Sequence, residues 1–187
     1  MTGPTFNMSF FERGMDFINL VHESDANTDF DTDWVKLTNY DRALVIVKKL
    51  GSEDVDTLAV QFLQGTTAAG GSAKALTVSR YWYKTGTMTS QTAWTQGVLT
   101  TPDDFIGFGS AASSVAGVST QIVDDVNTNA LIFAVDIQAQ DLDVDGGFDW
   151  IAVRVEGDEV NNSALISIDV ILMGGRFPQI VPLSAIS

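Results

Sequence analysis

The chain has 187 residues, no cysteine and a formal net charge of -14 from 24 acidic and 10 basic residues. One domain of that length buries roughly 70% of its unfolded surface, so the fold needs neither a disulfide nor a structural metal. The ten basic residues are scattered, and without clustered Lys and Arg to release counterions nucleic acid is not an expected partner. No basic region leads into a long apolar run, and no stretch of about 18 apolar residues occurs. The expectation is a soluble chain with no export signal and no membrane partner.

From the N-terminus, Phe6, Phe10, Phe11, Met15, Phe17, Ile18, Leu20 and Val21 fit neither a helical nor a strand period. The segment reads either as an arm that buries its aromatics on its own sheets or on a neighbouring subunit, or as an edge strand plus a one-turn helix. Glu23, Asp25, Asp29, Asp31 and Asp33 then form an acidic loop. Residues 34–37 read as a short strand, and residues 42–50, RALVIVKKL, as a central one because their middle is apolar on both faces. Leu58, Val60 and Phe62 alternate with Ala59 and Gln61, a strand with one face inward.

After a small-residue loop, residues 76–85 place Thr77, Ser79, Tyr81 and Tyr83 on one face and Leu76, Val78 and Trp82 on the other. Residues 92–99 are predicted to return beside them. Residues 100–120 shift to Ser, Ala and Gly, which predicts a long surface excursion. Residues 121–126 follow as a short strand.

Residues 131–172 carry the clearest pattern. Leu131, Phe133, Val135 and Ile137 alternate with Asp136 and Gln138; Ile151, Val153 and Val155 with Arg154 and Glu156; Ile166, Ile168, Val170 and Leu172 with Ser167 and Asp169. The connections are too short for a helical crossover, so the three runs predict an antiparallel meander. Gly174, Gly175 and Pro178 stop the sheet, and the tail beyond them reads as an extended segment that docks elsewhere. The fold class expected is all-β, an antiparallel β-sandwich of jelly-roll type. Its divisions are an N-terminal arm and acidic loop (1–33), the sandwich (34–173) and a C-terminal tail (174–187).

Candidate chemistry is sparse. Asp141, Asp143, Asp145 and Gly146 open like a calcium loop, but position twelve is Ala152 where a bidentate Glu is needed, and strands flank it. The alternative is a hairpin connection in which Gly146 and Gly147 supply positive φ. Gly107, Gly109 and Ala112 spell a dinucleotide fingerprint without the strand and helix that give it meaning. His22 is the sole histidine, which leaves no material for a Ser-His-Asp triad or a multi-histidine zinc site. Acidic neighbours, Asp103 with Asp104 and Asp124 with Asp125, are the remaining acid–base candidates, and in so acidic a chain they read as solvated. No enzyme activity, metal or cofactor is expected. Tyr81, Trp82 and Tyr83, with Trp94, make the densest aromatic cluster; exposed rings stack on sugars, so Tyr81, Tyr83 and Trp94 offer a second reading, a carbohydrate-binding module.

The segments SFFERGMDFINLV, DWVKLTNYDRALVIVKKLG, AKALTVSRYWYKTGTMTSQTAW and ALIFAVDIQAQDLDVDGGFDWIAVRV, with a late apolar strand and Arg176-Phe177, resemble small head accessory proteins of tailed phages, the capsid decoration or cement proteins. The resemblance implies a structural virion protein on the capsid surface, assembled in the host cytoplasm. Its partners would be the major capsid protein and further copies of itself, as trimers or dimers. Contacts would be made by Phe6, Phe10, Phe11 and Phe17 at one end and Arg176, Phe177, Ile180 and Val181 at the other.

Overall fold

Alternation of apolar and polar side chains gives a strand one face to bury, and two sheets that bury such faces against each other make a sandwich. The computed structural model describes residues 15–25, 29–50, 58–84, 86–87, 90–91, 93–99, 101, 103–109, 120–123, 131–157 and 165–175. Its strands are β1 (Asp16–Asp25), β2 (Phe30–Asp31), β3 (Val35–Lys36), β4 (Arg42–Leu50), β5 (Leu58–Gly65), β6 (Lys74–Ala75), β7 (Arg80–Lys84) and β8 (Gly86–Thr87). They continue with β9 (Ser90–Gln91), β10 (Thr95–Val98), β11 (Ile106–Gly109), β12 (Thr120–Val123), β13 (Leu131–Gln138), β14 (Trp150–Gly157) and β15 (Leu165–Met173).

One sheet has the order β1-β15-β4-β13-β7-β10, and the other β12-β11-β5-β14-β2, with β3 and β6 alongside. Every pair is antiparallel except β11 with β12. The principal strands β1-β15-β4-β13 face β2-β14-β5-β11, so along these eight strands the chain changes sheet at every step except from β5 to β11, and β15 pairs with β1. That interleaving is the jelly-roll topology, and the all-β sandwich expected from the sequence is the observed fold.

The meander expected over residues 131–172 does not form. β13 lies in the first sheet, β14 in the second and β15 back in the first. Short connections exclude a helical crossover, but facing sheets stand only about 10 Å apart, a gap roughly three or four extended residues can bridge. Residues 139–149, which carry the chain from β13 to β14, therefore arch over the sandwich rather than turning in a hairpin.

The sandwich also begins earlier than residue 34. β1 pairs along β15 from Asp16↔Leu172 to Asp25↔Leu165, with register shifts between Asn19 and Val21 and between Val21 and Ser24. Two bulges break strict alternation, which is why the segment shows no clean period. Residues 106–109, expected in a surface excursion, are a strand too: Ile106 is buried and pairs with Val60. Two glycines in four residues weaken its strand signal.

Between the sheets lies a core of Val45, Val47, Val60, Phe62, Phe133, Val135, Val153, Ile168 and Val170, among others. Phe133, with no exposed surface, has its ring 6.0 Å from Phe62 and 5.4 Å from Tyr81. A smaller cluster of Trp34, Leu63, Trp150 and Ala152 covers the outer side of the second sheet. A Cβ at Gly65 or Gly70 would come within 2.6 or 2.7 Å of the Trp34 ring, so both positions are held to glycine by that indole.

Phe133→Ala should lower unfolding free energy by about 3–5 kcal/mol, read from urea denaturation. Gly97→Ala, whose new methyl would fall 2.1 Å from Tyr81 Cζ, should cost about 1–3 kcal/mol in the same measurement; unchanged midpoints would contradict this packing.

Candidate functional site

Of the residues expected to make subunit contacts, Phe6, Phe10, Phe11, Arg176, Phe177, Ile180 and Val181 lie outside the described residues. Phe17 is described: it stands on β1, the edge of the first sheet, with 53% of its surface exposed. Register places it beside Ile171, and Ile171 beside Leu44. Neighbours in sequence, Ile18, Val170, Leu172, Ala43 and Val45, are buried, so Phe17, Ile171 and Leu44 form an apolar row on the sheet's outer face.

The next row holds Asn19, Asp169 and Ile46. Asp169 is only 3% exposed. Its carboxylate accepts from Asn19 Nδ2 at 2.7 Å and pairs with Lys48. Nearby, the Arg42 fork donates to both oxygens of Asp136. Asp169 and Asp136 are thus each matched by a cation on this face.

The aromatic cluster is not the platform expected. Tyr81 is 5% exposed and lies in the core, and Tyr83 packs against that core; burial, with the nearby Tyr83 adding to it, pushes the Tyr81 phenol above its ordinary pKa. The cause is a slip in parity. Leu76 and Val78 are buried, Ser79 and Arg80 are both exposed, and Tyr81 is buried, so the inward face shifts by one residue where β7 begins. Trp82, on the face opposite Tyr81, is half-buried on the outer side beside Gln96. Trp94 is 51% exposed, with Lys84 Nζ 4.9 Å from its ring centroid.

Trp82 stands at the mouth of a trough of about 510 Å³. β7 pairs with β13 only from Ile132↔Lys84 to Ala134↔Trp82, whereas β13 runs on beside β4 to Gln138↔Arg42. Beyond Ala134 the chain at residues 76–80 swings away. Thr77, Ser79, Arg80 and Trp82 form one wall of the wedge, and Asp136, Gln138 and Asp141 the other. A smaller hollow of about 260 Å³ lies at Leu37, Ala139, Leu142, Val144 and Phe148.

The calcium-like segment between β13 and β14 is built as a pair of tight turns, Ala139–Asp141 and Val144–Gly146. Asp143 Oδ1 accepts from the Gly146 amide at 3.1 Å, Oδ2 takes Lys74, and Asp143 N donates to Gln64 Oε1 at 2.9 Å. Of Gly146 and Gly147, the second alone has positive φ, at 81°. Gly146 instead makes room for the carboxylate, since its Cβ would meet Asp143 Oδ2 at 2.8 Å. Asp141 caps the Gln138 amide at 3.0 Å. These carboxylates are turned to local caps and an ion pair, and among the described residues no group of three or more His, Asp or Glu side chains could hold a metal. Gly107 and Gly109 lie within β11 rather than at a strand-to-helix turn. Asp104 caps the Phe105 amide and the Asp103 carbonyl accepts from Gln61, while Asp124 and Asp125 fall outside the described residues.

No protein-family model matches the chain, and no curated protein matches it. A solved structure entitled "Crystal structure of SPBc2 prophage-derived protein YomS" is similar in backbone at a TM-score of 0.39 and 6% identity, covering 86% of this chain and 93% of that one.

The Lys74 hydrogen bond, with the Gly146 amide second, holds the Asp143 carboxyl below its ordinary value of 3.8. A carboxyl whose folded pKa is depressed stabilises the fold above its unfolded value and loses that contribution as pH falls through the folded one. Wild-type stability should therefore drop more steeply than that of Asp143→Asn once the pH goes below 3.8. Parallel acid-unfolding profiles for the two proteins would contradict it.

Proposed function

We propose that this chain is a structural virion protein of a tailed phage that decorates and stabilises the capsid by binding the major capsid protein lattice. The reading rests on the sequence resemblance, and the observation that carries it in the structure is the apolar row Phe17–Ile171–Leu44 at the β1 edge. A long edge strand with an exposed aromatic invites pairing with another chain. This one leads directly from a segment that adds Phe6, Phe10 and Phe11. Apolar contact surface at a sheet edge, continuous with a phenylalanine-rich terminus, suits a protein that seats on a repeating lattice.

The remaining features agree with that role. The surface outside the row is acidic, which keeps copies apart until the lattice orders them. Weak contacts repeated by symmetry-related copies add up to firm attachment. No catalytic step is required, and the chain's single histidine and absent cysteine leave few means for one. Partners under this reading are the major capsid protein and further copies of the chain.

β1 belongs to the sandwich, so the informative truncation stops at Gly14. Removing residues 1–14 should leave the thermal unfolding transition in place and reduce co-sedimentation with purified heads. Phe17→Ser, on an exposed site, should weaken head binding with a change in stability within about 0.5 kcal/mol. Full occupancy by both variants would show that attachment uses another surface.

A further inference from the structure

We infer that the trough between the end of β13 and residues 76–82 binds a saccharide bearing a carboxylate, a uronate-type unit. This is independent of the capsid reading and uses none of its residues.

Three observations converge. The first is Trp82: the parity slip turns its indole outward at the rim, where one face can meet the apolar face of a pyranose ring. The second is Arg80, on the same outer face of β7. Arg42, Arg154, Lys36, Lys48 and Lys74 each have a carboxylate partner, whereas Arg80 has no ion pair among the described residues. In a chain with 24 acids and 10 bases, a guanidinium at a cavity wall with no acid paired to it among the described residues offers a donor fork to a carboxylate from outside. The third is the wedge itself. From Val135 on, β13 has β4 on one side and, among the described residues, no strand on the other, so the wall opposite Arg80 offers backbone edge as well as the acceptors Asp136 and Asp141.

The arrangement is polar in one direction. Acceptors at the β13 wall suit sugar hydroxyls, which donate, while the arginine suits an anion. Asp136 is neutralised by Arg42, but Asp141 has no cation paired to it among the described residues, so an evenly charged polyanion would set phosphates against it. A hydroxyl-rich ligand with its negative charge at one end fits both walls. The volume, about 510 Å³, lies in the range of small-ligand sites and leaves room for a short oligosaccharide.

The test is calorimetric titration of the full chain with trigalacturonic acid, with a tetrasaccharide of alternating glucuronate and N-acetylglucosamine, with cellotetraose and with a thymidine tetranucleotide. At least one acidic oligosaccharide should bind at least about tenfold more tightly than cellotetraose. Arg80→Gln, at an exposed position, should remove that preference, and Trp82→Ala should weaken every sugar. Trp82→Phe controls for folding by keeping a ring in place and should retain the acidic preference. Absence of binding by both acidic sugars at millimolar concentration, an acidic preference that survives Arg80→Gln, or tighter binding of the tetranucleotide would each overturn the assignment. Head co-sedimentation of Arg80→Gln, unchanged under this proposal, separates its failure from failure of the capsid reading.

Discussion

The slab of side chains between the two sheets is the constraint from which the rest of this structure follows. Because inner residues of both sheets are apolar along their whole length, each strand satisfies its inward face equally well in either layer. What decides the layer is the partner waiting there. Phe133 illustrates the mutual dependence: its ring touches Phe62 from the opposite sheet and Tyr81 from its own, so removing it opens contacts in both layers at once. The closing strand β15 pairs on one side with β1 and on the other with β4. The first and last described strands therefore complete a single sheet, and neither end can be stripped without exposing the slab.

The same constraint explains how a surface site arises beside a core. Residues 76–78 cover the slab in one parity and residues 81–83 in the other, and the chain accommodates both by leaving Ser79 and Arg80 in succession outside. That irregularity carries the segment away from β13, and the gap it leaves is the trough. Gly97 completes the adjustment, since only a residue without a side chain lets the Tyr81 ring lie so close to β10. Packing of one tyrosine inward and presentation of one tryptophan outward are thus a single event.

Much of the sandwich was legible in the sequence, because period-two alternation records which face of a strand is buried. β4, β5, β13, β14 and β15 all fall where alternation places them. Alternation is silent on which strand lies beside which, and so Leu131, Ile151 and Ile166 looked like a meander although their strands alternate between layers. The bulges in β1 erased its period, and glycine at positions 107 and 109 hid β11. The second cluster around Trp34 was invisible for a different reason: Leu63 and Ala152 occupy the face that alternation assigns to solvent, and only the loop folded over it makes that face apolar. At the candidate site, the aromatic cluster was legible as a cluster. Its orientation was not, since a one-residue slip exchanges inside for outside.

The two surfaces sit on one sheet, the apolar row at its β1 edge and the trough between β13 and the β7 segment. From β1 to β7 there are four strand spacings, about 19 Å at the usual separation of roughly 4.8 Å. Between them the outer face carries Asp169 with Asn19 and Lys48, and Asp136 with Arg42, pairs that cancel locally in a chain whose overall charge is strongly negative. Local cancellation matters because an apolar row is useful for docking only where approach is not opposed by like charge. The Arg42–Asp136 pair serves both surfaces: it screens the end of the row at Leu44 and quiets one acidic wall of the trough. A partner seated along β1 would leave the trough beside β7 open to solvent across that separation, so attachment at the β1 edge and ligand capture at the trough are geometrically compatible in the same molecule.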